Sequence, residues 1–150
     1  MLILAARDWQ HPQGGGSGEN VRSHLEHWVR WGASVSVISG GFPAGASTER
    51  GPGYVVHRMG SDSTVFPHAI ARHRQVGVFP VDMALEYVSG IFFLTPLWLR
   101  RTARVVWFHH VHRAQYSVQY GAVGRVAGAM LETLPPVSYT HLTLPTNREV

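Results

Sequence analysis

Leu2-Ile3-Leu4-Ala5-Ala6, Gly14-Gly15-Gly16-Ser17-Gly18-Glu19-Asn20, Val21-Arg22-Ser23-His24-Leu25-Glu26-His27-Trp28-Val29-Arg30-Trp31-Gly32 and Val35-Ser36-Val37-Ile38 follow one another in the opening stretch that decides the fold. The apolar run 2–6 has the length and continuity of a strand buried on both faces of a parallel sheet. In the third segment Val21, Leu25, Trp28 and Val29 recur at i, i+4, i+7 and i+8, with Arg22, Glu26 and Arg30 on other faces. That spacing predicts an amphipathic helix over 21–32, with Gly32 as its carboxyl stop. Val35, Val37 and Ile38, interleaved with Ser34, Ser36 and Ser39, predict a second strand. Strand, glycine loop, helix and strand in this order open a doubly wound α/β domain, a Rossmann-like parallel sheet with helices on both faces.

The rest of the chain keeps the alternation. Residues 40–53 are rich in Gly, Pro, Ala and Ser and read as a surface loop before a short strand at 54–58. A short helix is predicted over 67–75, a strand over 82–88 after Pro80, and a helix within 91–101 with Pro96 in its first turn. Val105-Val106-Trp107-Phe108 is another buried-strand run, and residues 116–134 read as a helix stopped by Pro135-Pro136. No internal repeat is visible.

Bulk composition narrows the function classes. A chain of 150 residues with 45% hydrophobic content has room for one domain with a sizeable core. The net charge is +4 with only 15% of residues charged, and Arg100, Arg101 and Arg104 form the one dense basic cluster. That is not the long basic stripe of a nucleic-acid binder, so no nucleic-acid partner is expected. With no cysteine, disulfides and thiolate metal sites are excluded, which fits a reducing, cytoplasmic setting. The amino terminus has no basic segment ahead of an apolar core, and the apolar run 91–99 is interrupted by Thr95 and Pro96. It is too short to span a bilayer. The arginines after that run leave a peripheral contact with the inner face of a membrane as one reading, and a core-packed helix with a solvated end as the other.

Two constellations carry candidate chemistry. A glycine loop opening into a helix lets backbone approach a ligand, and the first turn offers unpaired N–H groups to a phosphate or sugar oxygen; a surface linker is the competing reading. The loop is not a dinucleotide fingerprint, because Glu19 or Val21 stands where the third glycine belongs and the second strand ends in Ser39-Gly40-Gly41 without an acidic residue. Nor is it a P-loop, since no Lys-Ser or Lys-Thr follows. The second constellation is His109-His110-Val111-His112-Arg113, at the carboxyl end of a predicted strand and hence on the same sheet edge as the glycine loop. Neighbours in an extended segment point to opposite sides and no Asp or Glu accompanies them, so no metal is expected there. Hydrogen bonding to a substrate and ordinary packing or solvation are the two remaining readings. Trp28, Trp31 and Trp107 read as core or interface residues, and Glu19 is favourable against the helix dipole without a catalytic role.

The last residues, 137–150, break the alternation. Val137-Ser138-Tyr139-Thr140-His141-Leu142-Thr143-Leu144-Pro145-Thr146 resembles a translated transposon-end adapter of sequencing libraries, with a genuine polar tail as the alternative. The native domain is therefore expected to cover 1–136, and 137–150 are set aside from functional reasoning.

Taken together, the leading strand, the Gly14 to Asn20 loop, the helix ending in Trp31-Gly32-Ala33-Ser34-Val35, and the later Asp82-Met83-Ala84-Leu85-Glu86, Thr95-Pro96-Leu97 and Val105 to Gln115 segments resemble a bacterial family 4 glycosyltransferase. Alanine stands at position 33, where histidine is common in that family. The resemblance implies a GT-B fold, in which two Rossmann-like domains face a cleft and a sugar passes from a nucleotide-sugar donor to an acceptor with retention of configuration. Residues 1–136 would be an incomplete amino-terminal domain. Gly15 and Gly16 would approach the donor diphosphate or sugar, with Ser17 and Glu19 in the same substrate-binding loop. His109 would be the catalytic histidine contacting the transferred sugar, His110 its fallback, and His112 and Arg113 substrate-binding neighbours. The resemblance implies no cofactor or metal. It also implies a missing carboxyl-terminal domain that grips the nucleotide, so that this chain alone is expected to be inactive. The acceptor is not readable from these residues. The rival readings are a stand-alone Rossmann-like ligand-binding module, a nicotinamide-dependent oxidoreductase, and a GT-B protein with another sugar-nucleotide chemistry such as epimerisation.

Overall fold

A computed structural model describes residues 1–76, 81–89 and 92–108. Its elements run β1 (Leu2–Leu4), α1 (Gly15–Arg30), β2 (Val35–Ser39), β3 (Thr48–Gly51), β4 (Tyr54–Arg58), α2 (Val65–Val76), β5 (Met83–Val88), α3 (Thr95–Trp98) and β6 (Ala103–Phe108). The six strands form one sheet in the order β3-β4-β2-β1-β5-β6. Every neighbouring pair is parallel except β3 with β4. β1 is flanked by β2 and β5. The chain thus winds outward from β1 in one direction and later in the other, which makes the β1/β5 boundary the topological switch point.

The two-residue period of the strands sorts the apolar side chains onto two faces. Ile3, Ala5, Val37, Val56, Leu85 and Tyr87 pack with Val21 and Leu25 of α1. Leu2, Leu4, Ile38 and Ala84 pack on the other face with Val65 and Ala69 of α2 and with Phe93 and Leu99. Helices therefore cover both faces, and the fold is the Rossmann-like α/β arrangement predicted. Burying side chains of this size contributes about 1.5–3 kcal/mol each, which is why the central strand carries no polar residue.

Beyond shifts of one or two residues at element ends, the structure differs from the sequence reading in four places. Helix α1 begins at Gly15 rather than Val21, so the glycine stretch is the helix's own first turns and the connecting loop is residues 5–14. Gly14 has helical values, with φ −64° and ψ −42°, Gly15 steps into the left-handed region at φ 53°, and the Gly14 carbonyl accepts the Gly18 N–H at 3.0 Å. Residues 40–53 are not all loop, because β3 pairs antiparallel with β4 across a Pro52-Gly53 turn in which Gly53 has φ 78°. The 91–101 segment contains only one helical turn, α3, with Pro96 in its first positions as expected. β1 is shorter than the run 2–6, although the Ala5 N–H still bonds the Ile38 carbonyl at 3.1 Å. The helix expected over 116–134 and the tail 137–150 lie outside the described residues.

Phe92, Phe93 and Leu99 are buried in the domain, which favours the core-packed reading of the 91–101 stretch. Among the described residues no helix is long and apolar enough to cross a membrane.

Candidate functional site

Strands β1, β2, β4, β5 and β6 all end on one edge of the sheet, and the amino termini of α1 and α2 lie on that edge because each helix follows a strand. The two helix starts differ. Ahead of α2, the Ser61 N–H donates to Thr64 Oγ1 at 2.8 Å and the Thr64 N–H to Ser61 Oγ at 3.3 Å, a reciprocal side-chain pair that closes the turn leading into this helix. Helix α1 has glycine at its N-cap and no side-chain cap. Among the described residues no acceptor meets the N–H groups of Gly15, Gly16 or Ser17. Ser17 Oγ instead donates back to the Gly14 carbonyl at 2.9 Å.

The glycines of this turn have two separate jobs. A Cβ on Gly14 would stand 2.5 Å from the Asp8 carbonyl oxygen, and one on Gly18 would stand 2.7 Å from the same atom and 3.0 Å from Trp9 Cα. Both are backbone contacts, so these two glycines let α1 press against residues 8–9. Gly15 and Gly16 meet nothing within 4 Å and are exposed. Their bare backbone faces outward at the switch-point edge, where open α/β sheets bind ligands.

Loop 5–14 is fixed by a buried charge network. Asp8 is fully buried and Arg58 is 5% exposed. Arg58 Nε donates to Asp8 Oδ2 at 2.7 Å, while its NH2 reaches Glu49 Oε2 at 2.8 Å and Gln10 Oε1 at 3.2 Å. Its NH1 donates to the Ala46 carbonyl at 3.1 Å, and Asp8 also accepts from Ser39 Oγ at 2.6 Å and the Gln10 N–H at 2.8 Å. The carboxylates hold the Arg58 guanidinium above its ordinary pKa against the opposing effect of burial, which is the largest single influence on it. Nearer solvent, Arg7 Nε donates to Asp62 Oδ2 at 2.9 Å, and this bond holds the Asp62 carboxyl below its ordinary pKa. Gly40 lets these segments close up, since a Cβ there would lie 2.6 Å from both the Ala6 carbonyl oxygen and the Asp62 nitrogen.

On the β5 side, Glu86 is 1% exposed and accepts the Phe93 N–H at 2.6 Å and Thr95 Oγ1 at 2.7 Å. Between those anchors Leu94 sits in the left-handed region at φ 53°, a conformation that costs a bulky residue of order 1–3 kcal/mol. The paired grip of Glu86 holds it there. On the opposite face, Tyr87 Oη donates to the Asn20 carbonyl at 3.2 Å and meets His24 Nδ1. The His24 ring lies 4.9 Å from the Trp107 ring and is stacked on Trp28 at 5.9 Å. Burial pushes the Tyr87 hydroxyl pKa up and the His24 pKa down, so both are neutral at pH 7.

Of the residues singled out in the sequence, Gly15, Gly16 and Ser17 are together at this edge, and Glu19 is exposed on α1. Trp28 packs partly against the core, whereas Trp31 is 76% exposed. His109, His110, His112 and Arg113 lie outside the described residues; β6 ends at Phe108, opposite Val88, on the carboxyl edge. Among the described residues no group of His, Asp and Glu is arranged to hold a metal ion. Asp8, Arg58, Asp62 and Glu86 were not singled out by the sequence reading. Glu86 carried a usable signal, a carboxylate inside an apolar strand run.

No protein family matches the chain, and no curated protein is recognisably similar to it.

Proposed function

We propose that this chain is the amino-terminal, Rossmann-like domain of a retaining family 4-type glycosyltransferase of GT-B architecture, and that its carboxyl edge faces a nucleotide-sugar donor. The observation that carries the reading is the uncapped start of α1, with Gly15 and Gly16 exposed at the switch point and no atom within 4 Å of a Cβ at either. Departure of a nucleoside diphosphate builds negative charge on the leaving phosphate and positive charge on the sugar. Preorganised N–H groups at a helix terminus offset the former, each such donor being worth about 3 kcal/mol in the transition state. The Asp8–Arg58 network keeps the terminus in place as charge develops. In this reading His109 bonds hydroxyls of the transferred sugar, His110 is its alternate, and His112, Arg113, Ser17 and Glu19 border the substrate. A second domain supplies the groups that hold the nucleotide, so the isolated chain transfers no sugar.

Titration of the chain with UDP-, GDP- and ADP-linked sugars, followed by amide NMR, tests this. Nucleotide sugars are expected to shift the Gly15, Gly16 and Ser17 amides. Gly16→Val should weaken that binding at least tenfold while leaving the melting temperature unchanged. Binding of NAD in preference to every nucleotide sugar, or indifference to Gly16→Val, overturns the proposal.

A further inference from the structure

Away from the carboxyl edge, the face of the sheet that carries α2 holds a cavity of about 810 Å³ with an excess of positive charge. Strand register builds its floor. Arg50 of β3 is opposite Val55 of β4, Val55 is opposite Ser36 of β2, and Ser36 is opposite Leu2 of β1. Side chains directly opposite each other share a face, so Arg50 stands in line with Val55, and His57 follows two residues along β4 on the same face. From above, Arg72 enters one turn beyond Ala69, which with Val65 forms the sheet-facing stripe of α2. Arg50, His57 and Arg72 therefore converge on one cavity from three different elements.

No carboxylate among the described residues pairs with either guanidinium. Among the described residues neither Arg50 nor Arg72 forms an ion pair or a side-chain hydrogen bond. Asp82 is, among the described residues, the single carboxylate lining the cavity, and it pairs with neither. Burial first, then the charges of Arg72 and Arg50, lower the His57 pKa, which leaves a neutral imidazole able to donate one N–H. Leu2, Ile38 and Val55 add apolar surface to a lining that also includes Ser34 and Ser36.

We propose that this cavity is a second ligand site, separate from the carboxyl edge, that takes a phosphate monoester with an apolar body. Two guanidiniums offer paired donors that match the oxygens of a dianionic phosphate, and the imidazole N–H supplies a further donor. The apolar side chains of Leu2, Ile38 and Val55 take the body of the ligand, and the volume falls within the range of about 300–1,000 Å³ that small-molecule sites occupy.

Calorimetric titration of the full chain with 1-naphthyl phosphate, 1-naphthol and inorganic phosphate tests the proposal. The ester is expected to bind at least tenfold more tightly than either part alone. Arg50→Gln on the exposed edge strand and Arg72→Gln on the helix should each weaken it by about tenfold or more, as loss of a charged hydrogen bond does. Gly16→Val should leave it unchanged. An amide map of the wild-type chain, which depends on no variant folding, should shift at Val55 and His57. Absence of ester binding, affinity equal to that of inorganic phosphate, indifference to both arginine variants, or sensitivity to Gly16→Val would each overturn it.

Discussion

Replacing Arg58 by Met removes the centre of the buried network and leaves Asp8 in place. The Arg58 side chain is 1% exposed and the Asp8 side chain 0%, so solvent cannot reach the carboxylate once its partner has gone. Asp8 would retain only the Ser39 hydroxyl and the Gln10 N–H, and the Ala46 carbonyl and Glu49 would each lose their Arg58 donor. Breaking a buried pair from one side costs about 3–5 kcal/mol, a large share of the stability of a domain this size. At about 4 °C per kcal/mol, the melting temperature should fall by about 12–20 °C. Urea unfolding monitored by circular dichroism should show a lower midpoint at an unchanged slope. Because the Asp8 carbonyl is the surface on which Gly14 and Gly18 rest, hydrogen exchange at the Gly18 amide should also speed up more than at Leu25. The double variant Arg58→Met/Asp8→Leu should recover most of the loss, since an apolar replacement leaves no buried charge. A cost below about 1 kcal/mol for Arg58→Met alone, the value of a solvated surface pair, would refute the assignment of this network as the clamp on loop 5–14.

Two further outcomes are expected. Gly16→Ala should stabilise the protein by about 0.5–1 kcal/mol because alanine favours helix, and Gly18→Ala should destabilise it by about 1–3 kcal/mol because its methyl group meets backbone; paired denaturant melts decide the signs. His24 and His57 both have folded-state pKa values below 6.5, so the unfolded chain binds more protons under acid conditions. Their contribution is fully present well above pH 6.5 and is lost as the pH falls through 6.5 and then through their lower folded values, so stability should drop on acidification below about pH 6.5, and less steeply in His24→Phe; a flat profile contradicts this.

The opening of the fold was legible because strand and helix periods are local properties. Val21, Leu25 and Val29 announce α1, and the serine-interleaved valines announce β2. The start of α1 was not, because glycine disfavours helix and argued for a loop at 14–20. Packing against the backbone of Asp8 and Trp9 overrides that propensity at Gly14 and Gly18. β3 was hidden in a Gly- and Ser-rich stretch, although the Pro52-Gly53 turn ahead of an apolar run was a usable hairpin signal. The site was half visible. Gly15 and Gly16 could be placed at a helix start from their neighbours, whereas Asp8 and Arg58 meet across 50 positions and no local pattern joins them. The cationic cavity follows from strand register, which a single sequence does not supply.

The two borders of the sheet differ in their tendency to self-associate. β3 is short and carries Glu49 and Arg50, charges that discourage another chain from adding to that side. Among the described residues β6 is paired on one side only, and it presents Val105 at 44% and Trp107 at 42% exposure. Its sequence, Ala103-Arg104-Val105-Val106-Trp107-Phe108, joins β-branched and aromatic residues with one charge and no proline, the composition of a steric-zipper segment. Arg104 is its lone gatekeeper, and that guanidinium is turned back to the Leu99 carbonyl. A chain cut just after Phe108 should therefore form fibrils through this strand.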